Sequence, residues 1–305
     1  MDDLTAIKPV KDTTFALMLE AQRRGFAVWY ANESDLALQG GDCVARLRGV
    51  TLRDDAHDWF EFGDETTRAL GEDDLVFMRC DPPVDDRYVY ATMMLDRAES
   101  AGARVVNQPA ALRNFNEKLA ITHFPDLIPA TCVAAEAGPL TDFVAQHGRA
   151  VLKPLDGMGG RGIFLAADDD ANLNVIIETL TRDGSVPAMA QEYLPGIADG
   201  DKRILMVGGR AVDYVLARIP GGRDFRGNLA RGGRGEGRPI APEERRIAER
   251  VGPFLVERGI EFAGLDVIDG RLTEINVTSP TCVRELDHQF GINISGMLFD
   301  RLMQR

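Results

Sequence analysis

Apolar positions near the N-terminus recur at helical spacing. Phe15, Met18, Leu19 and Gln22 follow it in TTFALMLEAQRRG, Asp12 and Thr13 offer N-caps, and Gly25 stops the turn. FAVWYA (26–31) then reads as a strand, residues 43–53 alternate as a hairpin would, and LVFMR (75–79) is a buried strand closed by Asp81-Pro82-Pro83. A helix over 88–101 and the strand RVVN (104–107) complete an α/β unit, which predicts a mostly parallel sheet in the first third. From about 113 to 187 the elements shorten. Helix NEKLAITHF, strand ATCVAA, helix LTDFVAQHG, strand AVLKPL, a glycine loop, strand GIFLAA and a helix around 171–182 make a small α+β unit, sized for a lid. Beyond Pro187 strands dominate: MAQEYL, KRILMV and AVDYVLARIP, then the unpatterned 219–239, a helix at 242–258, and EFAGLDVIDGRLTEINV. The divisions expected are 1–112, 113–187 and 188–305, with no repeat of solenoid period.

Charge and composition act mainly by exclusion. At 305 residues two or three domains, or one large domain with an appendage, are expected. The balance is 35 − 48 = −13, which argues against a general binder of nucleic acid or anionic membrane. No apolar run is long enough to span a bilayer, and the polar start MDDLTAIKPVKD has no signal-like apolar stretch, so a cytoplasmic location is expected. Four cysteines without C-x-x-C and four histidines without H-E-x-x-H give no zinc or dithiol signature. One asymmetry asks for an explanation. Residues 202–238 hold nine basic side chains against three acids, a local +6 inside a chain of −13.

The segment 152–162, LKPLDGMGGRG, is the strongest local feature. Glycine amides approach phosphate oxygens closely because no Cβ intervenes, and a nearby lysine adds a point charge. A Walker A loop fails for want of Gly-Lys-Ser/Thr. Gly157, Gly159 and Gly162 match G-x-G-x-x-G, but that turn must open a helix and GIFLAA reads as a strand. A flap between two strands, folded over a triphosphate, fits better, with a plain hairpin loop as the bland alternative.

Glu274 and Asn276 lie two apart on one strand and share a face, with Asp266 on the strand before. Such hard oxygen ligands, with phosphate oxygens and water, suit Mg²⁺. Register constrains the idea: a two-residue Asp269-Gly270 turn with regular pairing sets Asp266 opposite Thr273, on the wrong face. A shared metal site therefore requires an odd loop or a bulge. The 21 residues 219–239 read as a lid or binding loop; their Arg-Gly texture resembles RNA-binding tracts, a reading the acidic chain and single aromatic, Phe225, disfavour.

In order and spacing, KPLDGMGG, QEYLP, GDKR, LARIP, RGN, GGRGE, GLDVI and TEINVTSPTC resemble the ATP-grasp superfamily, and within it the bacterial glutathione synthetases. The resemblance extends upstream through KDTTFALMLEAQRRG, MRCDPP and VNQPAALRNFNEKL, nearly the whole chain. It implies an α/β ATP-grasp fold: an N-terminal Rossmann-like domain at 1–112, a central lid subdomain at 113–187, and a C-terminal subdomain at 188–305. Family members begin with a short apolar strand ahead of the segment matching Met1-Asp2-Asp3, so a first strand is expected to be missing here.

The resemblance also assigns roles. Lys118 and Lys153 meet the nucleotide phosphates; Gly157, Gly159 and Gly160 form the phosphate flap; Gln191, Glu192, Tyr193 and Leu194 form the adenine hinge; Asp201 and Lys202 lie near the ribose and phosphates. Asp266, Glu274 and Asn276 match the Mg²⁺ ligands, with Mn²⁺ as a substitute. Arg203 and Arg218, with Lys153, are the catalytic residues, and Arg79, Asp81, Asn228, Arg231, Ser279, Pro280 and Thr281 the substrate contacts. The implied reaction joins γ-glutamylcysteine and glycine with ATP in a homo-oligomer, a tetramer in the family, with no nucleic-acid or membrane partner. Two readings stay open: another ATP-grasp carboxylate–amine ligase, such as a D-alanine–D-alanine or amino-acid-tailing enzyme, and a non-catalytic nucleotide-binding module.

Overall fold

The first helix, Thr13–Arg23, starts where the Asp12 carboxylate accepts the Phe15 N–H at 2.7 Å, and buries Phe15, Leu17 and Met18. In the computed structural model, which describes residues 1–222, 226–227 and 232–304, this helix packs on a strand rich in alternating apolar side chains, Asp42–Leu52. That strand is the spine of a four-stranded antiparallel sheet with Trp29–Tyr30, Leu36–Gln39 and Phe60–Ala69. Among the described residues only Leu75–Phe77 and Arg104–Val106 pair in parallel, on either side of helix Asp86–Ser100. The mostly parallel sheet expected for the first third is thus confined to two strands. The reason is local: Gly40 and Gly41, both with positive φ, turn the chain straight back, and antiparallel neighbours need no crossover helix. Leu75–Phe77 is paired on one side only, and an apolar cavity of about 630 Å³ lies against it, lined among others by Leu17, Val28, Leu95 and Phe299.

The helix expected over NEKLAITHF is a single 3-10 turn, Leu119–His123. Pro125 follows directly on Phe124, and a residue before proline is held out of the helical region. The central unit is an antiparallel sheet in the order Thr131–Ala134, Ala188–Glu192, Arg149–Pro154, Phe164–Ala167, backed by helices Ala137–His147 and Leu173–Thr181 around its own core of Leu140, Val144, Leu152 and Ile177.

The last third is a five-stranded antiparallel sheet in the order Arg234–Pro239, Arg210–Ile219, Asp201–Val207, Phe262–Ile268, Arg271–Asn276. Period-two alternation sorts its side chains. Ile204, Met206, Val215, Leu265, Val267, Leu272 and Ile275 pack with Ile247, Val251 and Leu255 of helix Pro242–Glu257. The opposite face carries Leu205, Leu216 and Phe262 under helices Val283–Phe290 and Ile294–Met303, and beyond them a row of charged residues. Part of the stretch read as unpatterned is ordered here: Arg234–Pro239 pairs with Tyr214–Ile219. It shows no apolar alternation because glycines occupy the packed positions; a Cβ on Gly237 would lie 2.4 Å from the Phe290 ring, which stacks on Tyr214. Among the described residues no helix is long and apolar enough to cross a membrane.

Candidate active site

The acidic strands meet as the register constraint required. Asp269 and Gly270 both have positive φ and close a two-residue turn, with Ile268 opposite Arg271 and Val267 opposite Leu272. The register then shifts, so that Asp266 faces Glu274 and Gly264 faces Asn276. Thr273 is the extra residue, its hydroxyl donating to the Asp266 carbonyl at 3.1 Å. A tight turn and a bulge together bring Asp266, Glu274 and Asn276 to one face.

Next to them, the same alternation presents Asp201, Arg203 and Arg218. Arg203 grips Asp266 with a two-pronged fork, Nε to Oδ1 at 2.5 Å and Nη2 to Oδ2 at 3.0 Å. Arg218 reaches the same Asp266 carboxylate at 2.8 Å and also donates to Asp201. All three of Arg203, Arg218 and Asp266 are at most 5 % exposed. Burial works to raise the Asp266 pKa, but the two guanidinium charges outweigh it and hold the group below the ordinary carboxylate range. Asp201 goes the other way, since burial and the Asp266 charge exceed what Arg218 supplies, and its Oδ1 is buried with no hydrogen-bond partner among the described residues. Gly264 makes room for this arrangement: a Cβ there would lie 2.7 Å from Arg203 Cδ.

Lys153 ends a strand of the central sheet and points at Glu274, 3.6 Å away, while Lys118 approaches the same carboxylate at 3.8 Å. Burial lowers the Lys153 pKa against the opposing pull of Glu274. The glycine loop that follows lies between paired strands, Arg149–Pro154 and Phe164–Ala167, which excludes the helix-opening Rossmann turn. Gly159, Gly160 and Gly162 all have positive φ, so the loop needs their freedom. Lys118 Nζ donates to the Gly157 carbonyl at 2.6 Å, and Arg226 Nη1 to the Gly160 carbonyl at 2.5 Å, pinning the loop from both sides.

Two cavities open onto this wall. One, of about 110 Å³, runs between the central and C-terminal sheets; Val151, Ile163, Leu194 and Ile268 give it apolar sides, and Gln191, Glu192, Tyr193, Gly160, Lys118, Lys153 and Asp201 also line it. The other, of about 320 Å³, is lined by Asp81, Glu117, Arg203, Arg218, Asn276, Ser279, Thr281 and Glu285, with Lys8 and Lys11 at its N-terminal side. Gly157, Met158, Gly159, Asp266 and Glu274 line both.

Most residues singled out from the sequence therefore converge, and a few do not. Lys202 sits on the opposite face of the sheet from Arg203, pairs with Glu244 at 3.4 Å and Asp199 at 3.6 Å, and lines neither cavity. Arg79 is buried behind the larger cavity, where Nη2 donates to the Pro280 carbonyl at 2.8 Å and Nε to Thr14 Oγ1 at 3.2 Å. Asn228 and Arg231 lie outside the described residues. Residues that sequence reasoning missed include Glu117, Thr278, Glu285 and Arg226; Glu117 was visible only as the neighbour of Lys118.

The chain resembles known proteins along nearly its whole length. The family models for the prokaryotic glutathione synthetase N-terminal domain and ATP-grasp domain match residues 1–113 and 117–291. A glutathione synthetase of Xanthomonas axonopodis pv. citri is 54% identical over 302 residues, 99% of this chain and 96% of the relative, and that of Vibrio parahaemolyticus is 50% identical over 305 residues, 100% and 96%. Among solved structures, a RimK-domain ATP-grasp protein of Sphaerobacter thermophilus superimposes with a TM-score of 0.62 at 18% identity, over 99% of this chain and 97% of that one. The ATP-grasp ligase PsnB, solved with a precursor variant, Mg and ADP, gives 0.62 at 17% identity over 99% and 95%. These two share the ATP-grasp fold. The chain belongs to the prokaryotic glutathione synthetase family and is, as that family is, an ATP-dependent carboxylate–amine ligase.

Proposed function

We propose that this chain makes glutathione, joining the cysteinyl carboxylate of γ-glutamylcysteine to the amine of glycine with release of ADP and phosphate. The observation that supports it most is the common wall: a cleft with apolar sides and a larger cavity lined by charged residues meet at residues 157–159, Asp266 and Glu274. A carboxylate in the larger cavity then lies next to the terminal phosphate of a nucleotide in the smaller one. Val151, Leu194 and Ile268 suit an adenine ring, and the orphaned Asp201 oxygen suits a ribose hydroxyl or a protein-bound water.

Lys118, Lys153 and the amides of the glycine flap hold the phosphates, and Arg203 and Arg218 face the group being transferred. The donor carboxylate oxygen attacks the γ-phosphorus, ADP departs with the bonding electrons, and an acyl phosphate forms. The glycine amine then adds to the carbonyl carbon, the tetrahedral oxyanion rests against Arg218, and phosphate leaves as the amine sheds its proton. Asp266, Glu274 and Asn276 would hold Mg²⁺. The donor set fits a hard cation: two carboxylates, plus an amide whose NH₂ already donates to Asp266 at 3.2 Å, leaving its oxygen to ligate. Bound there, the ion would supply Lewis-acid stabilisation of the phosphoryl oxygens. Four unpaired thiols, Cys43, Cys80, Cys132 and Cys282, suit a reducing cytoplasm, and the family resemblance supports a homotetramer.

The test is ADP release with γ-glutamylcysteine and glycine, each substrate alone, and glycine replaced by D-alanine. Stoichiometric ADP and tripeptide with the full pair, and little ADP otherwise, is expected; equal turnover with D-alanine would overturn the glycine assignment.

A further inference from the structure

The three consecutive residues Asn116, Glu117 and Lys118 touch two different parts of the site. Asn116 Nδ2 donates to the Leu155 carbonyl at 3.0 Å and Lys118 Nζ to that of Gly157, so both hold the start of the phosphate flap. Glu117, between them, turns the other way. Its Oε1 accepts the Val277 N–H at 2.9 Å, the Thr278 N–H at 3.1 Å and the Thr278 hydroxyl at 2.9 Å, and its own carbonyl accepts the Ile275 N–H at 2.9 Å. Four bonds thus run from one residue to the stretch where the chain leaves the metal-ligand strand and becomes the loop 278–281. The strand ends at Asn276, and Val277 and Thr278 are buried, so their amides need an acceptor within the protein, which Glu117 supplies; the Val277 carbonyl is held separately, by Asn107 Nδ2 at 2.8 Å. The far end of the loop is held independently, by Arg79 on the Pro280 carbonyl. Between the two anchors, Thr278, Ser279 and Thr281 line the larger cavity together with Glu117 itself.

We propose that Glu117 is a positioning residue that sets the substrate-cavity loop 278–281 in register with the phosphate flap, so that carboxylate activation and amine attack occur at one geometry. This rests on the ligase reading above. The flap and the loop approach the reacting atoms from different subdomains, and their common reference is a rigid tripeptide whose Asn116 Oδ1 also fixes the N–H groups of Lys118 and Leu119, at 3.0 and 2.9 Å. A displacement of about 1 Å at such a support can cost as much as about a hundredfold in rate. What Glu117 contributes is an oxygen acceptor in a fixed place, which a glutamine supplies as well and an alanine does not.

The experiment compares Glu117→Ala, Glu117→Gln and Thr278→Val with the wild type, reading KM for glycine and for ATP, and ADP released per amide formed. For Glu117→Ala the expected result is a glycine KM raised about tenfold or more and excess ADP per amide, with the ATP KM within about twofold. Glu117→Gln should restore most of the coupling, and Thr278→Val, which removes one of the three donors, should shift the same readouts in the same direction by less. Glu117→Gln as impaired as Glu117→Ala would overturn the proposal, because the charge and not the acceptor would then matter. So would ATP and glycine KM values rising together with coupling intact. Should Glu117→Ala not fold, the Gln and Val variants decide alone: coupling lost in Gln, or kept at the wild-type value in Val, overturns it. A wild-type enzyme that forms no amide from γ-glutamylcysteine and glycine would instead contradict the substrate assignment, and shows before any variant is made.

Discussion

Arg218 holds two carboxylates at once, Asp201 and Asp266, and is nearly inaccessible to solvent. Such a residue carries both structural and chemical weight, and the two can be separated. On the proposed roles, replacing it by alanine removes a preorganised donor from the developing oxyanion, which should lower kcat by about 10²–10³ while leaving ATP binding, assigned to Lys118, Lys153 and the flap, little changed. The same change removes the charge that most opposes burial at Asp201, so that carboxyl should rise further in pKa. Arg218→Lys keeps the charge but loses the fork and should recover only part of the rate. A near-normal kcat for Arg218→Ala, measured beside an equilibrium ATP titration, would contradict its role. Lys202 offers the opposite lesson at the same scale. It follows directly after Asp201 in the motif, yet alternation along the strand sends it to the other face, against Glu244.

At the scale of elements, Arg226 ties its stretch to the flap by donating to the Gly160 carbonyl, while the neighbouring Gly227 packs on the C-terminal sheet, where a Cβ would lie 2.2 Å from the Arg218 carbonyl oxygen. An acyl phosphate must be kept from water, and if this stretch is the lid the sequence suggests, Arg226 is the described residue that links it to the flap. Arg226→Ala should therefore raise ATP hydrolysis relative to ligation several-fold, and an unchanged ratio would count against a lid. Elements were legible where local chemistry decided them. The Asp12 cap and Gly25 stop bound the first helix, and the parity of Glu274 and Asn276 demanded the bulge found at Thr273. They were not legible where tertiary contacts decided them. Arg234–Pro239 is a strand because its glycines fit against Phe290, and the role of Glu117 depends on partners 160 residues further along. The first-third sheet was misread because a parallel pair and an antiparallel sheet both alternate in sequence, and only the Gly40-Gly41 turn distinguishes them.

For the molecule as a whole, the uneven charge now has a location. The chain carries −13 overall, but Arg203 and Arg218 from its basic island converge with Lys118 and Lys153 on the three carboxylates Asp201, Asp266 and Glu274. These four cations, from parts of the chain whose apolar cores are separate, sit where a triphosphate and a carboxylate would come together, offset by the acids Asp81, Glu117 and Glu285 that line the larger cavity with Arg203 and Arg218. The account turns on one chemical event there, transfer of the γ-phosphoryl group to a donor carboxylate. It is tested most directly with γ-glutamylcysteine labelled with ¹⁸O in the cysteinyl carboxylate. Amide formation through an acyl phosphate must carry one labelled oxygen into the phosphate released for each tripeptide made, with none in ADP. Phosphate free of label, with tripeptide still formed, would contradict it.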